Sequence, residues 1–249
     1  MAFSLHDKVI LITGACGRIG KASVRLFLEN GATVVASDLI PAASQPLFGE
    51  LTERFGERRL LTVQSDACDE SQVMALMNEI NDRFGRLDGC FHNAFAQLHR
   101  PFADYTLEEW ERVVRGTLTS AFLVSKHAVK MMLASGGGAI LNTSSIISER
   151  PQAHSAAYSA SKAAINQMTK VLALEYGASN IRANCLLPGD IKEPDPNVSA
   201  AYVEKMKEIT LIGRSGTPDE VAQLAAYLLS DSAAYVTGAS YVIDGGFRL

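Results

Sequence analysis

Long hydrophobic runs are missing from this chain. The longest stretch without a charge, 131–148, carries Gly136, Gly137, Gly138, Asn142 and several hydroxyl side chains, so it cannot span a bilayer as a helix and no membrane partner is expected. Near the amino terminus only Val9 to Ile12 is continuously apolar, well short of the core of a secretory signal. Cysteine is scarce. Cys16, Cys68, Cys90 and Cys185 are widely spaced and form no C-x-x-C pair, which argues against a zinc cluster or a disulfide framework and for reduced thiols in a cytoplasm. An excess of positive charge is absent too: 23 Lys and Arg against 27 Asp and Glu leave a net charge of −4. Nothing there drives phosphate-backbone binding, and a nucleic-acid partner is not expected. No repeat, low-complexity tract or linker interrupts the chain, and neither a G-x-S-x-G elbow nor an H-E-x-x-H pair is present, so hydrolase readings have no support. His99, His127 and His154 show no ligand spacing, and no metal site is expected.

What is present is apolar material in a regular rhythm. Apolar residues make up 47% of the 249 positions, enough for a sizeable core. Short β-branched runs at 8–13, 33–37, 60–64, 89–92, 139–143, 181–186 and 240–243 alternate with longer stretches at 18–30, 46–55, 70–84, 107–133, 156–176 and 218–229. Most of the longer stretches carry apolar residues at helical spacing. Alternation of this kind predicts an α/β fold of parallel β-α-β units with helices on both sheet faces, a single domain over 1–249. One segment breaks the rhythm. Residues 188–216 hold Pro194, Pro196 and a lone amphipathic stretch at 199–209, the pattern of a substrate lid ahead of a final strand.

The first apolar run leads straight into Thr13-Gly14-Ala15-Cys16-Gly17-Arg18-Ile19-Gly20 and then a helix. Glycines there permit a tight turn and close backbone approach, and the helix N-terminus offers unpaired N–H groups to a pyrophosphate. The nucleotide-triphosphatase alternative fails, because Ala15 and Ala22 occupy the places that need Gly and Ser or Thr. A dinucleotide is the better ligand. Asp38 ends the second strand, 24 residues after Gly14. A carboxylate there can accept both ribose hydroxyls of an adenosine and repel a 2′-phosphate; the bland alternative is an Asp that merely opens the turn before Pro41.

Tyr158 and Lys162 stand four apart at the start of a helical pattern, on one face and about 6 Å apart along the axis. A tyrosine of pKa about 10 is a poor acid or base at neutral pH, and a neighbouring ammonium favours its phenolate. Ser145 lies 13 residues earlier, just past a strand, at the carboxyl edge where α/β sheets place ligands.

On these motifs together with Asp66, Asn93-Ala94, Ser144-Ser145, Pro188-Gly189 and Asp244-Gly245-Gly246, the chain resembles the short-chain dehydrogenase/reductase family, in its compact single-domain branch. The resemblance covers nearly the whole length. It implies a doubly wound, Rossmann-like sheet of seven parallel strands and a nicotinamide cofactor. It also implies roles: Tyr158 as proton donor or acceptor, Ser145 polarising the substrate carbonyl, Lys162 holding the nicotinamide ribose while lowering the Tyr158 pKa. Asp66 and Ala67 would meet the adenine, Asn93-Ala94 would pack along the cofactor, and Gly14, Gly17, Arg18, Ile19, Gly20, Pro188, Gly189 and Ile191 would complete its binding set. Family members commonly form homo-oligomers through the long helices, here 107–133 and 156–176, with tetramers completed by the last strand.

The departures from the family pattern are specific. Arg18 fills a usual glycine, His92 and Phe95 stand where the first asparagine and the glycine of N-N-A-G would be, and Thr117 takes the place of the fourth catalytic residue, an asparagine. That asparagine acts largely through its backbone carbonyl, so Thr117 can serve. Glu193 replaces a threonine that bonds the carboxamide; it either faces the substrate or turns into solvent. Phe95, His154 and Glu193 are the candidate substrate contacts. The expectation is an oxidoreductase interconverting a secondary alcohol and a ketone, with NAD(H) preferred over NADP(H); the competing reading is a non-catalytic dinucleotide-binding sensor or scaffold.

Overall fold

A computed structural model describes residues 4–249. β1 (Val9–Thr13) leads into α1 (Arg18–Glu29), β2 (Thr33–Asp38), α2 (Pro46–Phe55), β3 (Leu60–Gln64), α3 (Glu70–Phe84) and β4 (Gly89–His92). The chain continues with α4 (Leu107–Val114), a π-wound turn (Arg115–Thr119), α5 (Ser120–Ser135), β5 (Gly138–Thr143) and α6 (Ala156–Tyr176). β6 (Ile181–Pro188), α7 (Ala200–Ile209), α8 (Pro218–Leu229) and β7 (Ser240–Ile243) complete it. The seven strands pair in the order β3-β2-β1-β4-β5-β6-β7, all parallel. Strand order reverses between β1 and β4, so the crevice for a ligand opens at the carboxyl ends of those two strands.

β1 shows why the sheet is covered on both faces. All five of its residues are buried, and alternate side chains point to opposite sides. Ile10 and Ile12 pack with Phe27, Leu28, Val221 and Ala225 of α1 and α8, whereas Val9 and Leu11 pack with Val73, Ile80 and Val124 of α3 and α5. A strand apolar on both faces has no stable place except between two helical layers. Gly31 leaves α1 at φ 96°, the left-handed conformation that ends a helix at little cost for glycine.

Two expectations are corrected. The apolar periodicity predicts one helix over 107–133, but it is broken into α4 and α5 by the π-wound turn. The cause is a tertiary contact: a Cβ on Gly116 would lie 2.4 Å from Cβ of Ala96. Next to it, Thr117 Oγ1 donates to Ala96 O (2.7 Å) and accepts from Ala96 N–H (3.1 Å). Tertiary contact with the chain after β4 therefore overrides helical winding, which is where π-bulges tend to sit. The second correction concerns the insertion at 188–216. β6 carries through Pro188, in register with Ile243, so the irregular chain begins at Gly189. Its amphipathic stretch forms α7, capped by the Ser199 hydroxyl, and a bridge between Ile191 and Gly216 closes its base. Among the described residues, no helix is long and apolar enough to cross a membrane.

Candidate active site

At the β1–β4 crevice the backbone forms a cradle. Gly14 has φ 65°, and a Cβ there would fall 2.8 Å from Ala94 N. A Cβ on Gly20 would fall 2.2 Å from Gly14 O, so the turn closes onto the helix only with glycine at both places. α1 starts at Gly17 with no side-chain cap and no acidic residue in its first turn. By contrast α3, α4 and α8 are capped by Asp69, Thr106 and Thr217. The first N–H groups of α1 are thus left for an anion.

The cradle opens on a cavity of about 400 Å³ bordered by Gly14, Gly17, Asp38, Asp66, Ala67, Asn93 and Ala94. Leu39 and Ile40, more than half-exposed or near it, also border it, an apolar rim suited to an aromatic base. Asp38 is fixed by accepting from Cys16 N–H (2.8 Å) and Ile40 N–H (3.0 Å). It therefore opens a turn, as the bland reading holds, and borders the cavity as well. Asp66 accepts from Cys68 N–H at 2.8 Å. Asn93 ties the crevice together: its N–H donates to Thr13 Oγ1 (3.2 Å) and its Oδ1 accepts from Thr143 Oγ1 (3.1 Å). A glycine cradle, two carboxylates and an apolar rim fit a dinucleotide.

Ser145, Tyr158 and Lys162 do not line that cavity themselves; Tyr158 and Lys162 adjoin it through Phe95, which does. Tyr158 and Lys162 are both buried on α6, and Ser145 follows β5 in extended conformation. Lys162 Nζ donates to Thr143 O at 2.6 Å and lies 5.4 Å from the ring centres of both Phe95 and Tyr158. Burial lowers the Lys162 pKa to about 7. Burial also pushes the Tyr158 phenol above the ordinary tyrosine range, and a hydrogen bond with Ser145 offsets only part of that rise. The causes acting on the Tyr158 phenol among the protein's own groups are burial, which raises it, and Ser145, which lowers it.

The remaining candidates fall in different places. Phe95 is half-exposed, 5.7 Å from the Tyr158 ring, and borders the cavity. Thr117 is buried with its hydroxyl spent on Ala96 and its carbonyl accepting from Ser120 Oγ. Gly189 packs against Asp244, where a Cβ would lie 2.8 Å from Cα, after Pro188 has closed β6. Ile191 packs on the sheet core. Arg18 and His154 are exposed, Ile19 partly buried, and the His154 carbonyl accepts from Arg100 N–H. Glu193 is exposed and borders a separate cavity of about 570 Å³ between α7 and α8, which neither Ser145, Tyr158 nor Lys162 lines.

Sequence reasoning missed several cavity residues: Ser37, Ser65, Cys16, Cys68 and Ser120. Ser37 and Ser65 had a usable signal, since each sits at or just past the carboxyl end of a parallel strand. His92 carried meaning only as a departure, yet it joins Thr13 to Ser120 through both ring nitrogens.

Comparison with known proteins places this arrangement. A family model described as "Enoyl-(Acyl carrier protein) reductase" matches residues 14–248. The chain is 38% identical over 249 residues to the cis-4-hydroxycyclohexanecarboxylate dehydrogenase of Sinomonas cyclohexanicum, covering 99% of each protein. It is 35% identical over 250 residues to the 3alpha-hydroxysteroid dehydrogenase of Mediterraneibacter gnavus, covering 100% of each. A crystal structure of a short-chain type dehydrogenase/reductase from Mycobacterium marinum superposes with a TM-score of 0.90 at 31% identity, over 99% of this chain and 97% of that one.

Proposed function

This chain belongs to the short-chain dehydrogenase/reductase family and is an oxidoreductase, and from that premise we propose that it interconverts an alicyclic secondary alcohol and its ketone with NAD(H). The observation that carries the reading is the pair of buried Tyr158 and Lys162, with half-buried Ser145 hydrogen-bonded to Tyr158, against Phe95 at the wall of the glycine cradle. Bound in the cradle, the nicotinamide would take or give the hydride. Tyr158 Oη would move the proton of the substrate oxygen, and Ser145 Oγ would hold that oxygen in place. Lys162, its pKa lowered to about 7 by burial, would in its ammonium form favour the Tyr158 phenolate, and negative charge entering the crevice would favour that form. Asp38 would accept the adenosine ribose hydroxyls, with Asp66 and Ala67 at the base.

Phe95 offers an apolar wall beside Tyr158, and both named relatives above act by their names on ring-borne hydroxyl groups. That pairing favours an alicyclic ring over a polyol. Residues 189–216 would cover the substrate. Exposed Phe122, Leu133, Val171 and Leu174 on α5 and α6 support a homo-oligomer, dimer or tetramer, and four free cysteines fit a reducing cytoplasm.

The test is turnover of cyclohexanol and substituted cyclohexanols against glycerol, followed by absorbance of the reduced nicotinamide, with NAD and NADP in parallel. Turnover of the ring alcohols with NAD preferred by at least about a hundredfold in kcat/KM is expected. Tight NAD binding without turnover on any alcohol or ketone would favour the sensor or scaffold instead.

A further inference from the structure

Tyr158, Lys162 and Asn166 stand four apart along one face of α6, on successive turns. The chain around Ser145 is fastened to this face on both sides. Ahead of Ser145, Lys162 Nζ donates to Thr143 O (2.6 Å) and Ser144 Oγ donates to Lys162 O (2.9 Å). Behind it, Asn166 Nδ2 donates to Ser148 Oγ (2.9 Å), and Ser148 Oγ donates to Ser145 O (2.6 Å). The Ser148 N–H reaches the same carbonyl at 3.0 Å. A hydroxyl has one proton, and Ser148 gives its own to Ser145 O, so only a donor can meet Ser148 Oγ from α6. That requirement turns the Asn166 amide nitrogen toward Ser148. Its Oδ1 is left buried without a hydrogen-bond partner among the described residues, which is destabilising. Leucine, of the same shape, would pack there without that penalty, so the use of the amide lies in its bond to Ser148.

We infer that Asn166 is a positioning residue for Ser145, acting through Ser148 on the Ser145 carbonyl, an inference that rests on the role proposed above for Ser145. Apart from its bond with Tyr158, Ser145 Oγ has one polar contact among the described residues, the Ile147 N–H at 3.4 Å, beyond the ordinary range. Where Oγ stands therefore follows from where the extended Ser145 backbone (φ −165°, ψ 156°) is held. A catalytic group displaced by about 1 Å can lose about a hundredfold in rate, and loosening one of its anchors should lose part of that. Asn166 does not border the cradle, so cofactor binding should be indifferent to it.

The experiment measures kcat/KM at saturating NAD for cyclohexanol, or for the substituted cyclohexanol that the parent turns over fastest. The Kd for NAD and the Tm are taken on the same full-length proteins: the parent, Asn166→Leu, Ser148→Ala, and each of the three combined with Ser145→Ala. Asn166→Leu should lower kcat/KM about tenfold, with the Kd for NAD within about twofold and a Tm equal or higher, because the unpaired oxygen has gone. Ser148→Ala interrupts the same chain at its middle and should lose about as much. Combined with Ser145→Ala, either change should alter kcat/KM by less than about twofold, since the group being positioned is no longer there. A merely structural role cannot give that result, because a general loosening lowers the rate by the same factor with or without the Ser145 hydroxyl. Equal losses in both settings overturn the inference, as does an unchanged kcat/KM in Asn166→Leu and Ser148→Ala, and either leaves the proposed function standing. If Asn166→Leu does not fold, Ser148→Ala with and without Ser145 decides by itself. A parent that binds NAD and turns over no alcohol or ketone brings down the role of Ser145, and the inference with it.

Discussion

At the crevice between β1 and β4 the chain would meet the proposed dinucleotide with backbone: Gly14, Gly17 and Gly20 leave room and the uncapped start of α1 leaves N–H groups. Between β5 and α6 it presents the opposite material, the long side chains of Tyr158 and Lys162, buried and with displaced pKa values. The first region works by what is missing, Cβ atoms and a cap, and its recognition is of shape and of fixed dipoles. In the second, burial displaces the protonation behaviour of two titratable groups, raising the Tyr158 pKa and lowering that of Lys162. On the proposed function, binding and proton transfer are separable, and variants in one region should spare the other.

The sharpest way to break that comparison is Tyr158→Phe, which deletes one hydroxyl from the buried region. We expect kcat to fall by about 10²–10⁴-fold, the size of general acid–base catalysis, with the Kd for NAD changed by less than about threefold. The tilted Phe95 ring and Lys162 Nζ keep their places beside the ring, so the fold should be indifferent. Steady-state kinetics and calorimetry on the same preparation decide it. Retention of more than about a tenth of kcat would remove Tyr158 from the acid–base role.

Asp38→Ala tests the cradle in the same way. Its carboxylate already accepts two backbone N–H groups, so it is held in place before any ribose arrives, and preorganised charge of that kind discriminates strongly. The preference for NAD over NADP should fall from about a hundredfold to within about tenfold in kcat/KM, since a carboxylate clash with a 2′-phosphate is removed. The kcat with NAD should change little. An unchanged preference would move the choice to another residue, Arg18 at the start of α1 being the candidate.

How much of this was legible beforehand follows the same division. Strand and helix positions were readable because short apolar and β-branched runs alternate with longer stretches at helical spacing, and Leu60–Gln64, Gly89–His92 and Ser240–Ile243 fall where those runs predict. Glycine spacing announced the cradle, since only glycine fits there. The break at Arg115–Thr119 was not legible, because it depends on Ala96, some twenty residues away, pressing on Gly116 and Thr117. Nor was the protonation state of Lys162. Spacing says that a lysine is beside a tyrosine, whereas the direction of each pKa depends on how much water the finished fold excludes. Asn166 looked like any asparagine of a helix until the fold set its amide against Ser148.

The smallest expected effect lies where the two regions join, at His92. Thr13 Oγ1 accepts from Asn93 N–H and pairs with His92 Nδ1 at 2.8 Å, while Ser120 Oγ donates to Gly116 O and lies 3.3 Å from His92 Nε2. With the serine proton spent on a carbonyl, Nε2 must donate to Ser120 Oγ and Nδ1 must accept from Thr13, so the ring is the neutral Nε2–H form. Burial, with the positive Lys162 nearby, lowers its pKa from 6.5 to about 3. An unfolded chain takes up a proton at this residue as pH falls through about 6.5, and the folded chain does not until about 3. The unfolded state therefore binds more protons across that window, and stability must fall as pH falls. Between pH 6.5 and 5.5 the loss from this one group is about 1 kcal/mol, steepening to about 1.4 kcal/mol per unit below that. His92→Asn keeps a donor and an acceptor between Thr13 and Ser120 but carries no titratable ring. Urea unfolding at the two pH values should show the variant losing less stability than the parent by that amount, with the other histidines cancelling in the comparison. Equal losses would mean that His92 is protonated in the folded protein, and that the joint between cradle and α5 is held by charge and not by the neutral relay.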